Sequence, residues 1–120
     1  MRFRVSVNAD ALPEGLRGQL GDLAPGLVND LRVLIRGLDA SREDFKNGFI
    51  LGSDRFYYIV KAGPPRLIDV TTNNPKWAVE TLEALLHFAG KLPISIVIGF
   101  REGRGVISIE VALTPKEGKN

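Results

Sequence analysis

His87 is the only histidine in the chain, and cysteine is absent. Without a thiol there can be no disulfide, no zinc–thiolate centre and no cysteine nucleophile. General acid–base work by His87 would need a hydrogen-bonding partner in a sheltered cleft, and no motif near it supplies either. It stands shortly before Gly90, where an imidazole sits close to the negative end of a helix dipole. A metal site built on one imidazole would need several correctly placed carboxylates. Glu80 and Glu83, three apart on the same expected helix, are explained by a solvated face. No cofactor and no metal are therefore expected, and the chain does not read as an enzyme.

Three stretches could bind an anion instead. Gly15-x-x-Gly18-x-x-Gly21 follows a strand and opens a helix, yet its spacing matches neither the dinucleotide fingerprint nor the phosphate loop of nucleotide hydrolases. The better anion candidate runs through Thr71, Thr72, Asn73, Asn74 and Lys76. There a strand leads through small polar residues to a helix N-terminus, whose free N–H groups and dipole attract negative charge; capping by Asn74 explains the same residues without a ligand. The third set is basic. Arg101-Glu102-Gly103-Arg104-Gly105 reads as a hairpin loop, and together with Arg2, Arg4 and Lys61 it could contact nucleic-acid phosphates. Arg55-Phe56-Tyr57-Tyr58 adds aromatic residues on a strand, of which alternation leaves one tyrosine free to stack.

Composition bounds these options. The 120 residues fit one domain, able to bury roughly two thirds of its unfolded surface. Sixteen basic residues against fourteen acidic ones leave a net charge of +2, so an anion-binding face must come from local clustering rather than overall charge. No apolar run approaches the ~20 residues of a membrane span. The start of the chain goes directly into alternation without a secretory apolar core, so a cytoplasmic protein is expected. Low methionine and the lack of cysteine would suit a heat-adapted source.

The elements that must position such residues are read from periodicity. The strongest signal lies between Pro93 and Leu113. Ile94, Ile96, Ile98 and Phe100 alternate with Ser95, Val97 and Gly99; Ile107, Ile109, Val111 and Leu113 alternate with Ser108, Glu110 and Ala112. This period of two describes two half-buried strands of a hairpin joined through 101–105. Phe3, Val5 and Val7 alternate with Arg2, Arg4, Ser6 and Asn8 in a first strand. Leucines at Leu12, Leu16, Leu20, Leu23, Leu27, Leu31, Leu34 and Leu38 follow helical spacing, interrupted by glycines and by Pro25, so a loose segment, a kink and a firm helix over 25–36 are expected. A short helical turn through Lys46 ending at Gly48 follows. A hairpin over 49–62 and a strand over 67–72 come next. Asn74 and Pro75 then supply cap and first position for a helix to Phe88 or Ala89, with Ala78, Leu82, Leu85 and Ala89 inward.

The expected fold is α+β: a six-stranded, mainly antiparallel sheet with two helices on one face, as one domain over 1–113, with 114–120 a flexible tail. Both halves read strand, helix, hairpin, the order of a duplicated β-α-β-β unit; a ferredoxin-like sheet with an extra hairpin is the alternative. Core positions are Ile96, Ile98, Ile109, Val111 and Leu31. Functionally the residues favour a non-enzymatic interaction or assembly module, binding another protein or itself as a homo-oligomer through the open sheet face or an edge strand. Arg4, Tyr57, Val97 and Glu110 are the expected contacts. A nucleic-acid-binding domain using Arg2, Arg4, Lys61, Arg101 and Arg104 is the alternative, and no membrane partner is expected.

Overall fold

A computed structural model describes residues 1–20, 48–52, 55–62 and 66–116. The expected helix over 25–36, Leu31, the turn through Lys46, Gly21 and the segment 117–120 lie outside the described residues. The strands are β1 (Arg2–Asn8), β2 (Gly48–Gly52), β3 (Tyr57–Ala62), β4 (Ile68–Thr72), β5 (Ile94–Gly103) and β6 (Val106–Pro115). They form one sheet in the order β2-β3-β4-β1-β6-β5. A helix, α1, is described over 14–20, and α2 spans Pro75–Ala89.

The sheet is mixed, with four antiparallel pairings and one parallel pairing that the expected mainly antiparallel sheet did not include. β1 pairs antiparallel with β4 but parallel with β6. A parallel neighbour requires a long crossover, and alternation within a strand carries no information about which distant strand will lie beside it. Exchanging the two halves of the chain, β1 for β4, β2 for β5 and β3 for β6, returns the same neighbour order read backwards. Direction breaks that likeness: β3–β4 is antiparallel, whereas its counterpart β6–β1 is parallel. The halves therefore share element order without a two-fold relation. The ferredoxin-like alternative does not describe this strand order either.

Local chemistry explains the element ends. Asn8 Oδ1 accepts the Asp10 N–H at 2.7 Å, an Asx turn that stops β1. Asn74 Oδ1 accepts the Lys76 N–H at 3.0 Å, with Pro75 opening the helix. The β5–β6 connection is shorter than expected. Both strands continue through Gly103 and Val106, so the turn is Arg104-Gly105 alone, with φ of 53° and 74°. Two successive left-handed residues make the tight turn whose twist matches a hairpin. β2 begins at Gly48, and β6 runs on through Thr114 to Pro115 rather than fraying at 114.

The core lies on one sheet face. Val5, Val7, Tyr58, Val60, Ile68, Val70, Ile109, Val111 and Leu113 are buried against Leu12 and Leu20 and against Ala78, Leu85 and Ala89 of α2. Ile96 and Ile98 are only half-buried because β5 is the last strand of the sheet. Leu82 is likewise half-buried, and Thr81 takes the inward place. The Thr81 hydroxyl donates to Trp77 O at 2.8 Å and lies 2.6 Å from the Tyr58 hydroxyl, so it accepts from that phenol. Trp77 packs edge-on to Tyr58 with ring centres 5.8 Å apart.

Two outcomes follow from this packing. Ile109→Ala should cost roughly 2–5 kcal/mol, read as a lowered urea midpoint; a variant as stable as the parent would place the hairpin wrongly. Burial pushes the Tyr58 phenol well above its ordinary value of 10.0. The fold holds the neutral form, so this contribution is complete below pH 10 and is lost as alkali ionises the unfolded chain's tyrosine. Tyr58→Phe should abolish that part of the alkaline loss while costing about 1 kcal/mol at neutral pH.

Candidate anion-binding face

The opposite face of the sheet carries the polar alternates. Register sets the rows across it. Ile50, Ile59, Thr71, Arg4, Ser108 and Arg101 form one line from β2 to β5. In the next, Lys61, Asp69, Ser6, Glu110 and Gly99 lie side by side. In the row toward the Arg104-Gly105 turn, Arg2 stands beside Val106 and reaches Tyr57 across β4. Alternation fixes this division: once Phe3, Val5 and Val7 are committed to the core, Arg2, Arg4 and Ser6 must point away from it.

Ion pairs order the centre. Arg4 Nε donates to Asp69 Oδ1 at 3.0 Å and Arg4 Nη2 to Asp69 Oδ2 at 2.6 Å, a bidentate fork. The Ser6 hydroxyl is 3.5 Å from the same carboxylate. Hydrogen bonding from Arg4, with its charge, holds the Asp69 carboxyl below the ordinary 3.8, and the same bond raises Arg4. Arg101 Nη2 donates to Glu110 Oε1 at 3.3 Å, a looser and more exposed pair. Arg2 Nε donates to the neutral hydroxyl of Tyr57 at 3.0 Å, which leaves its charge uncompensated by that bond.

Between these side chains lies a shallow depression of about 480 Å³, lined by Arg2, Arg4, Lys61 and Arg104, by Asp69, and by Ile59 and Val106 on separate strands. Among the described residues, the five cations Arg2, Arg4, Lys61, Arg101 and Arg104 lie on this face with the carboxylates Asp69 and Glu110, and Arg66 acts on Asp69 from nearby. Sequence reasoning named all five cations; that strand order would bring residues 2, 61 and 104 to one depression was not readable, since those positions are far apart in the chain.

The other sets fare differently. Thr72, Asn73 and Asn74 are spent on the chain itself. The Thr72 hydroxyl donates to Tyr57 O and accepts from the Asn74 N–H. Asn73 bridges the Tyr57 N–H and Arg55 O, and Asn74 caps α2. Thr71 faces the depression, and Lys76 is exposed on the first turn of the helix. Of the four expected protein contacts, Arg4 and Glu110 sit centrally, while Tyr57 and Val97 lie towards opposite corners. His87 is exposed in the last turn of α2. Among the described residues no three metal-ligating side chains converge, and no helix is long and apolar enough to cross a membrane. No family model, curated protein or solved structure matches this chain.

The Arg4–Asp69 pair has a pH signature. Because the folded carboxyl is depressed, its contribution is present above about pH 4 and is lost as pH falls through the lowered value. Both partners touch solvent, so about 1 kcal/mol or less is at stake. Urea midpoints at pH 6 and pH 2.5 should converge in Asp69→Asn relative to the parent; an unchanged difference would show that the fork contributes nothing to stability.

Proposed function

We propose that this chain is a non-enzymatic binding module whose uncovered sheet face takes single-stranded nucleic acid. One observation carries the proposal: Arg2, Arg4, Lys61 and Arg104 line a single depression that contains one carboxylate. Four cations in a site also lined by Ile59 and Val106 suit a ligand that offers spaced negative charge and flat apolar groups. A single strand does so, with phosphates for the cations and bases for Tyr57, Ile59 and Val106. A six-strand surface also lets an unpaired strand lie across it.

An interaction module with a protein partner is the other use of this face. The wide separation of Tyr57 and Val97 favours it less, because a protein contact draws its energy from a compact buried centre. An acidic peptide would satisfy the cations yet leave Ile59 and Val106 without a matching group.

Arg4 is neutralised by Asp69 and Arg101 faces Glu110, so Arg2, Lys61 and Arg104 are the cations available for phosphate. About three phosphates neutralised gives a salt slope near −2 for a single strand. Fluorescence anisotropy with labelled oligo-dT and oligo-U at about 50 mM salt should give micromolar binding that weakens with that slope. Replacing Arg2 and Arg104 by alanine should flatten the slope by about 1.4. No binding to either oligomer at tens of micromolar would overturn the proposal, and binding of a poly-glutamate peptide alone would shift the site to a protein partner.

A further inference from the structure

The sheet ends at β5, and β5 is built to be extended. Among the described strands it is paired only with β6. The two-residue turn fixes which of its backbone groups face outward. Gly103 and Val106 close the turn as a hydrogen-bonded pair, so Arg101, Gly99, Val97 and Ser95 also direct N–H and C=O to β6. The Lys116 N–H donating to Pro93 O at 3.0 Å continues the same parity. Ile96, Ile98, Phe100 and Glu102 consequently present their backbone groups at the free edge.

Proteins commonly guard such an edge with proline, lysine, a bulge or a short strand. Over Ile94–Gly103 there is neither proline nor lysine, and pairing with β6 proceeds residue for residue without a bulge. The other end of the sheet differs: β2 has five residues and is bounded by glycine. β5 also exposes apolar side chains on both faces, Phe100 at 70% and Val97 at 58%.

We propose that a second copy of this chain pairs antiparallel with β5, edge to edge, about a two-fold axis at Ile98. The occupant is argued from the self-complementarity of the strand. With Ile98 on the axis, the outward-facing residues meet one another, Phe100 beside the partner's Ile96 and Ile98 beside its own copy, which is the parity an antiparallel ladder needs. Phe100 gains an aromatic–β-branched neighbour of the favoured kind. Val97 falls opposite Gly99, where no atom within 4 Å obstructs the space above the glycine. Arg101 faces Ser95, so no like charges are opposed, and both core faces lie on the same side of the joined sheet. One edge used once per copy closes as a dimer.

This dimer goes beyond the nucleic-acid proposal and does not depend on it. Sedimentation velocity of the full chain from about 1 to 100 µM should show a concentration-dependent species of twice 13.1 kDa. Phe100→Lys puts a charge on the edge at an exposed position and should weaken the dimer at least tenfold with no loss of thermal stability. Phe100→Pro removes an outward N–H while sparing the β6 ladder, and Val97→Lys tests the other face; both should act in the same direction. A strict monomer at 100 µM would overturn the dimer. So would association that survives all three substitutions, or open-ended oligomers in place of a dimer.

Discussion

β1 is hydrogen-bonded on both sides, to β4 antiparallel and to β6 parallel, and the two hairpins of the sheet are joined only through it. This one strand lets sequence-distant pieces share a surface. Its Val5 and Val7 sit at the centre of the core, and its Arg4 and Ser6 sit at the centre of the other face. The period of two ties these roles together: a slip of one residue would bury Arg4 and expose Val5.

Among the described residues, cover lies on one face only, which leaves the other as a second surface. α2 packs against β1, β4 and β5, and the apolar cluster lies wholly on that side. The uncovered side holds small polar groups and fixed ion pairs. Asp69 does two jobs there. It anchors Arg4 across the β1–β4 pairing, and it lowers the positive charge of the depression without removing it. The fork is partly exposed, so its value lies more in orienting the guanidinium than in stability.

Beneath that face, α2 is tied to the sheet by a polar link as well as by packing. The Tyr58 phenol and the Thr81 hydroxyl are both buried, and each finds a hydrogen-bonding partner. Among the described residues no buried side-chain polar atom lacks one. A satisfied pair of this sort fixes the rotation of α2 over β3, which apolar contact alone specifies less sharply.

What the sequence determined by itself was local. Alternation in Phe3–Val7 and in 94–113 separated core from open face, because side-chain direction in a strand depends only on parity. Asn74-Pro75 and Gly90 bracketed α2, because capping is a matter of adjacent residues. The five cations could be named from their types and parity. Strand order, the parallel β1–β6 pairing and the two-residue turn at Arg104-Gly105 were decided by the tertiary structure. Those depend on which strands meet and how far each ladder persists, an energy shared between residues up to about a hundred positions apart. Thr81 turned inward for the same reason: its helical position was evident, but the approach of Tyr58 from β3 supplied the donor that its hydroxyl accepts from. The convergence of Arg2, Lys61 and Arg104 was likewise a consequence of strand order, since parity assigns a face to each residue and nothing in the chain between them assigns a neighbour.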